Sequence, residues 1–132
     1  METLLRAALV DWLRADPALG MVNAVEEESP LTATPPWLGI AASASVDWST
    51  KDRRGRETRV ALELVTRGDD PAADAPIVRA IDCRVEALGT APAAIEFVSV
   101  RFLRARAERR PDNLRAVLLE YRFRYFELDG DI

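Results

Sequence analysis

The sequence contains no histidine, and it has one cysteine among 132 residues. Without histidine, the commonest general base and the commonest transition-metal ligand of proteins are both missing. A single cysteine cannot form a disulfide within the chain. We therefore expect a protein that is not an enzyme, with no catalytic residues, no metal and no cofactor.

Other residues that could carry chemistry have simpler explanations. Cys83 falls inside a predicted helix, off its apolar stripe, and is interpreted as a small buried or half-buried filler. The lone glycine of Arg53-Arg54-Gly55-Arg56 lies between predicted strands and does not precede a helix, so it makes no phosphate loop. Glu26-Glu27-Glu28 are consecutive, point in different directions and lack calcium-loop spacing, which favours a solvated acidic loop.

Long apolar runs and a secretory leader are also missing. No stretch approaches the roughly 20 apolar residues that a membrane span needs. The first residues lack the charged, apolar and small-residue pattern of a signal peptide. With 18 basic and 22 acidic residues, the formal net charge of -4 gives no general attraction to nucleic acid. We expect one domain over residues 1–132, located in the cytoplasm and not bound to a membrane.

Two amphipathic helices are predicted. Leu5, Leu9 and Leu13 recur at helical spacing in the first, with Thr3 placed to cap its start and Asp16-Pro17 to end it. In the second, Ile77, Ile81 and Val85 form the apolar stripe. Pro76 lies in or near its first turn, and Gly89 stands where the helix should end.

Four strands are predicted, at about 37–46, 60–65, 95–104 and 114–126, the third and fourth joined by a turn over 106–113. Residues 21–34 are interpreted as an irregular connection. The chain order is helix, strand, strand, helix, strand, strand. This order predicts an α+β fold with a single antiparallel four-stranded sheet and both helices packed on one face.

The third strand does not alternate cleanly. Val98, Val100 and Phe102 would lie on one face, while Ile95, Phe97 and Leu103 would lie on the other. Helices cover only one side of the predicted sheet, so apolar residues on both faces indicate either an oligomer contact or an unrecognised bulge. The sequence leaves both explanations open.

The most distinctive segment is the hairpin tip, residues Trp48–Glu57, which lies between the first two strands and is the stretch least explained by the needs of a core. It is locally basic in an acidic chain, and Gly55 is expected to adopt a positive φ there. An ordinary solvated turn is the competing explanation. The residues predicted to contact a subunit or partner, including two in the last turn, are Trp48, Lys51, Asp52, Arg53, Arg54, Arg56, Arg59, Arg109 and Arg110.

The ordered set of these pieces resembles a known family, the tail-completion or tail-terminator proteins of long-tailed bacteriophages, prophages and gene transfer agents. The resemblance runs from about Leu4 to Phe126. The segments that show the resemblance, in chain order, are the first helix with Ala15-Asp16-Pro17-Ala18-Leu19, Pro35-Pro36-Trp37, the hairpin tip, the helix after Asp70-Pro71, and Pro111-Asp112-Asn113.

The resemblance implies a virion structural protein located at the head–tail junction. It implies a homo-oligomeric ring, commonly a hexamer, that ends the growth of the tail tube and joins the tail to the head connector. The implied partners are the tail-tube protein and a head-completion or connector protein, and DNA only passes through the channel as cargo. A small oligomeric α+β binding or regulatory module remains the alternative.

Overall fold

The computed structural model describes residues 1–30, 32–90 and 94–131, with the side chains of residues 129–131 excepted. The helices and strands, in chain order, are α1 (Glu2–Arg14), β1 (Ala24–Glu26), β2 (Trp37–Asp47), β3 (Arg53–Arg67), α2 (Ala75–Glu86), β4 (Ile95–Arg110) and β5 (Leu114–Asp131). Short 3₁₀ turns cover Pro17–Leu19, Pro71–Asp74 and Leu88–Thr90.

The α+β class is confirmed, but the sheet has five strands in the order β1-β2-β3-β5-β4. The extra strand, β1, lies in the segment predicted to be irregular and pairs in parallel with residues 37–39 of β2. A strand of three residues is too short to show an alternating pattern, which is why the sequence does not reveal it. All other neighbouring strands pair antiparallel.

The core lies between the two helices and one face of the sheet. Each helix buries the stripe predicted for it, including Leu5, Leu9 and Leu13 of α1. The strands contribute alternate residues to the same cluster, among them Leu62 of β3 and Phe123 of β5. The clean alternation predicted for the closing strand is therefore confirmed. The opposite face of the sheet, which we call the open face, carries no helix.

The predicted helix boundaries need three corrections. α1 begins at Glu2 with Met1 as its N-cap, so Thr3 lies inside the helix and caps nothing. Asp16 instead caps the following 3₁₀ turn, because the Ala18 N–H donates to its Oδ1 at 3.0 Å. α2 ends at Glu86, and Gly89 belongs to a separate turn. The proline in the first turn of α2 is confirmed. No helix in the described ranges is long and apolar enough to cross a membrane.

Strand β4 is longer and less regular than predicted. It runs to Arg110, so residues 106–110 belong to the strand and the turn contains only Pro111, Asp112 and Asn113. Asn113 adopts the expected left-handed conformation, with a φ of 60°. The register shifts between Phe97 and Ser99 and again between Phe102 and Arg104. These bulges explain why apolar residues seemed to fall on both faces of the strand.

Candidate functional site

The hairpin tip has a defined backbone conformation. The Trp48 N–H donates to the Gly55 carbonyl at 3.0 Å, and the Thr50 N–H donates to the Arg53 carbonyl at 2.9 Å. The Gly55 N–H in turn donates to the Ser49 hydroxyl at 3.0 Å. These hydrogen bonds satisfy the main chain of a short turn, so the tip extends the β2–β3 ladder as an ordered element.

The expectation of a positive φ at Gly55 is wrong, since Gly68 is the glycine with a left-handed φ among the described residues. Gly55 is buried in β3, and a Cβ there would lie 2.5 Å from the Trp48 carbonyl oxygen and 3.0 Å from the Phe126 ring. The position needs glycine because two neighbours occupy the space of a side chain.

Two of the predicted contact residues hold the tip to the body of the protein. The Trp48 ring stacks on Phe126 with 5.2 Å between ring centroids. The Arg53 guanidinium lies 4.4 Å from the centre of the same Phe126 ring and forms an ion pair with Glu96. Their aromatic and charged groups are therefore largely used within the subunit.

The outward charge of the tip comes from two other residues. Lys51 and Arg54 are exposed, and neither has a carboxylate within 4.0 Å in the part of the chain that the structure describes. Asp52 is exposed as well. Arg56 is half-buried and lies 3.7 Å from Asp47 on the neighbouring strand. The tip thus carries two exposed cations that have no ion-pair partner among the described side chains.

Arg109 and Arg110 lie at the opposite end of the sheet from the tip, separated by the length of β3, about 50 Å. Arg109 is exposed and donates to Asn113 at 3.0 Å. Arg110 donates to Glu63 at 2.6 Å and to Glu108 at 2.8 Å. Hydrogen bonding to Glu108 raises the pKa of Arg110 and outweighs its partial burial. Arg110 therefore joins the strands of its own subunit.

The remaining predicted residue, Arg59, is not part of the tip. It lies on the open face, where β3, β5 and β4 place Arg59, Arg122 and Arg101 directly opposite one another. Sequence reasoning missed Arg101 and Arg122 as members of a site. Their only signal was an unusual number of arginines on strands, and grouping them requires the strand order and the register.

A groove of about 770 Å³ separates α2 from the β4–β5 hairpin on the other face of the sheet. Val78, Ala107 and Val117 are among its apolar lining residues. The Tyr121 hydroxyl donates to Asp82, and burial together with that carboxylate raises the pKa of Tyr121 well above its usual value. Cys83 lies exposed in the wall of the groove, so its interpretation as a buried filler is wrong.

The described residues hold no group of three or more histidine, cysteine, aspartate or glutamate side chains that could bind a metal. Two surfaces of the sheet carry charge that the contacts of the subunit do not explain: the tip, and the row of arginines on the open face. The fold and these surfaces define a small α+β protein whose candidate functions are contacts with other macromolecules.

Comparison with known proteins gives the family. Residues 7–125 match the family model described as tail completion protein gp17. Because the match covers most of the sequence, the chain belongs to the tail completion protein gp17 family. Its role is structural, in the tail of a phage-like particle. The resemblance drawn from the sequence is thereby confirmed.

Two solved structures are similar to this chain. A chain in the virion of a native gene transfer agent (GTA) particle is 22% identical, with 95% of this chain and 96% of that chain covered and a TM-score of 0.80. That likeness shows a shared fold. A second structure, 16% identical over 96% of this chain and 95% of the other, has a TM-score of 0.48. No curated protein matches the sequence.

Proposed function

We propose that this protein forms a ring, of six subunits, that ends the growth of the tail tube and joins the tail to the head connector. The observation that carries this proposal is the family match over residues 7–125. The fold shared with a chain of a gene transfer agent virion supports it. In this function the protein supplies interfaces, and DNA passes through the channel as cargo.

The hairpin tip is proposed as one of these interfaces. Trp48 and Arg53 anchor the tip through Phe126, and Lys51 and Arg54 lie exposed on this anchored turn with no carboxylate of the described residues within 4.0 Å. Such exposed charges determine orientation and choice of partner more than they determine affinity. We assign them to an acidic patch on a neighbouring subunit, on the tail-tube protein or on the head-completion protein.

The opposite end of the sheet is proposed as a second junction. Arg109 is exposed there beside the Pro111–Asn113 turn, and its contacts in the subunit are the Asn113 amide and Asp69 at 3.7 Å. Arg110, by contrast, is engaged by Glu63 and Glu108. We therefore assign the partner contact to Arg109 and a structural role to Arg110.

Electron microscopy of the purified protein mixed with its tail-tube protein tests the proposed function. We expect tubes closed at one end by a ring of density that is absent when this protein is omitted. Tubes that lengthen without limit in the presence of the protein, with no cap, would contradict the proposal. A protein that forms dimers and does not bind the tube would favour the alternative function, a small binding module.

Charge reversal tests the role of the tip. We expect the double variant Lys51→Glu/Arg54→Glu to fold normally but to lose the joining of heads to tails or the capping of tubes. Arg53 is left unchanged because its reversal would break the contacts with Phe126 and Glu96. The charge-preserving variant Lys51→Arg/Arg54→Lys is the matched control. If the charge-reversed variant gives normal particles, the tip is only a solvated turn without an interface role.

A further inference from the structure

The open face carries a row of like charges that folding does not require. Arg59 of β3 pairs in register with Arg122 of β5, which pairs in register with Arg101 of β4. Side chains directly opposite on neighbouring strands have Cβ atoms about 5 Å apart, and like charges at that separation repel. We call Arg59, Arg122 and Arg101 the arginine row.

The subunit neutralises this row only in part. Glu57 accepts a hydrogen bond from Arg124 at 2.9 Å and lies 3.9 Å from Arg122. Neither Arg59 nor Arg101 has a carboxylate within 4.0 Å among the described residues. The Nε of Arg122 is buried and has no hydrogen-bond partner there. An oxyanion from outside the subunit would supply the negative charge and the acceptors that the exposed guanidinium groups of Arg59 and Arg101 lack.

A matching oxyanion source exists on the same chain, at the other edge of the sheet. The strand order places β1 at one edge and β4, with Arg101, at the other. Glu26, Glu27 and Glu28 are exposed where β1 ends. Glu26 pairs with Arg14 at 2.8 Å and Glu27 lies 4.0 Å from Arg6, whereas Glu28 has no basic group within 4.0 Å among the described residues. The next residue, Ser29, donates to Glu63 at 3.1 Å, which holds the acidic segment close to the open face. The acidic segment and the arginine row thus lie toward opposite edges.

We propose that the arginine row of one copy binds the acidic segment Glu26–Glu28 of a second copy. This inference rests on the proposed ring, since two different patches toward opposite edges of one subunit make a heterologous contact that can repeat and close. The planar guanidinium groups of the row match carboxylates in a bidentate geometry. DNA is a poorer occupant, because the chain carries a net charge of -4.

Paired charge reversals test the contact. In Arg59→Glu/Arg101→Glu we expect self-association, measured by sedimentation velocity with and without tail tubes, to weaken by about tenfold or more. Glu27→Arg/Glu28→Arg should weaken it equally. A mixture of the two variants, or one chain carrying all four changes, should recover association. The charge-preserving variant Arg59→Lys/Arg101→Lys should associate more tightly than the charge-reversed variant, and less tightly than the unmodified protein because lysine cannot make the bidentate contact.

The Arg59→Glu/Arg101→Glu variant must also be shown to fold. Because Arg59→Glu and Arg101→Glu replace repulsion around Arg122 with attraction, we expect a thermal midpoint at least equal to that of the unmodified protein. A folded Arg59→Glu/Arg101→Glu variant that associates normally would overturn the contact, and so would two variants that fail to restore each other. If the Arg59→Glu/Arg101→Glu variant loses binding to a DNA duplex but keeps self-association, the arginine row binds nucleic acid instead.

The same experiments separate this inference from the proposed function. Complexes that depend on the arginine row but do not cap tubes would contradict the tail role and leave the contact standing. Capped tubes that form from the variant with the reversed row would overturn the contact and leave the tail role standing. An unmodified protein that stays monomeric even on tail tubes would overturn both.

Discussion

Gly55 illustrates how a single residue positions the hairpin tip. It is buried at the point where β3 passes beneath the Trp48 carbonyl and the Phe126 ring. Gly89, in the turn after α2, has no atom of the described residues within 4 Å of the position of a Cβ, and its φ is not left-handed. Neither glycine needs a left-handed φ, so Gly89 serves as a control for the effect of packing at Gly55.

We predict that Gly55→Ala destabilises the protein by about 1–3 kcal/mol, because the added methyl group would collide with main-chain atoms that cannot rotate away. Gly89→Ala should be neutral or stabilising by up to about 1 kcal/mol, since it only restricts the unfolded chain. Urea denaturation measures both. Equal effects at the two positions would contradict the packing explanation.

Asp74 and Arg115 form a buried ion pair at the start of α2, with 8% of each side chain exposed. The Arg115 Nε donates to one carboxylate oxygen at 3.1 Å and Nη2 donates to the other at 2.8 Å. Burial of Asp74 raises its pKa, but the hydrogen bonds and the charge of Arg115 outweigh burial and hold the pKa below the usual value. The pair joins the helix to the start of β5.

We predict that Asp74→Asn is less stable than the unmodified protein and that the difference depends on pH. A carboxyl with a lowered pKa stabilises the fold fully above its ordinary pKa of 3.8, and the contribution disappears as the pH falls through the lower value in the folded state. The difference in thermal midpoint should therefore be constant from about pH 7 to 5 and shrink below about pH 4. Thermal unfolding of the two proteins across this pH range measures the difference.

At the scale of elements, the sequence predicted features that depend on nearby residues and missed features that depend on contacts between distant residues. The helical stripes and the alternation of β5 depend on residues close in sequence, and both are confirmed. The sequence offered a bulge in this strand only as one of two explanations, and its position at Val98 decides which way β4 faces. Without it, Arg101 would share the face of Phe97 toward the helices, whereas the shifted register places Arg101 opposite Arg122 on the open face.

The same limit applies to the candidate site. Lys51 and Arg54 stand out in the sequence because a turn between two strands concentrates charge in a short segment. Arg122 was missed because the closing strand, β5, inserts between β3 and β4, an order that residue patterns do not specify. Trp48 and Arg53 were predicted to face a partner, but Phe126, far away in sequence, stacks with both.

The two helices are joined by a reciprocal contact. The Trp12 Nε1–H of α1 donates to the Arg84 carbonyl of α2 at 2.7 Å, and the Arg84 Nε–H donates to the Trp12 carbonyl at 2.8 Å. The Arg84 guanidinium also lies 3.3 Å from the centre of the Trp12 ring system. Each side chain thus satisfies a main-chain group near the C-terminal end of the other helix.

We predict that Trp12→Leu and Arg84→Met each destabilise the protein by about 1 kcal/mol or more, because each removes one hydrogen bond and one partner of the cation–π contact. The double variant should lose less than the sum, with a coupling energy of at least about 0.5 kcal/mol. Urea denaturation of the unmodified protein, the two single variants and the double variant measures the coupling energy. Strictly additive losses would show that the two side chains act separately.

At the scale of the whole molecule, stability and assembly rest on different forces. The fold is held by an apolar cluster between the helices and the sheet, including Leu9, Ile81 and Tyr125. The proposed contacts use exposed charges at the hairpin tip, on the arginine row and in the acidic segment. Salt screens exposed charges strongly and affects apolar burial little, so ionic strength should separate the two properties.

We therefore predict that raising the sodium chloride concentration from about 0.05 to 0.5 M weakens self-association by about tenfold or more, while the thermal midpoint of the subunit changes little. The Debye length falls from roughly 14 to 4 Å over this range, which removes attraction between charges that meet across a solvated interface. Sedimentation velocity and thermal unfolding, measured on the same samples at each salt concentration, provide the two readouts. The Arg59→Glu/Arg101→Glu variant is the internal control, since its residual association should respond less steeply to salt. An association that strengthens with salt would instead indicate an apolar interface, for which the groove between α2 and the β4–β5 hairpin is the available surface.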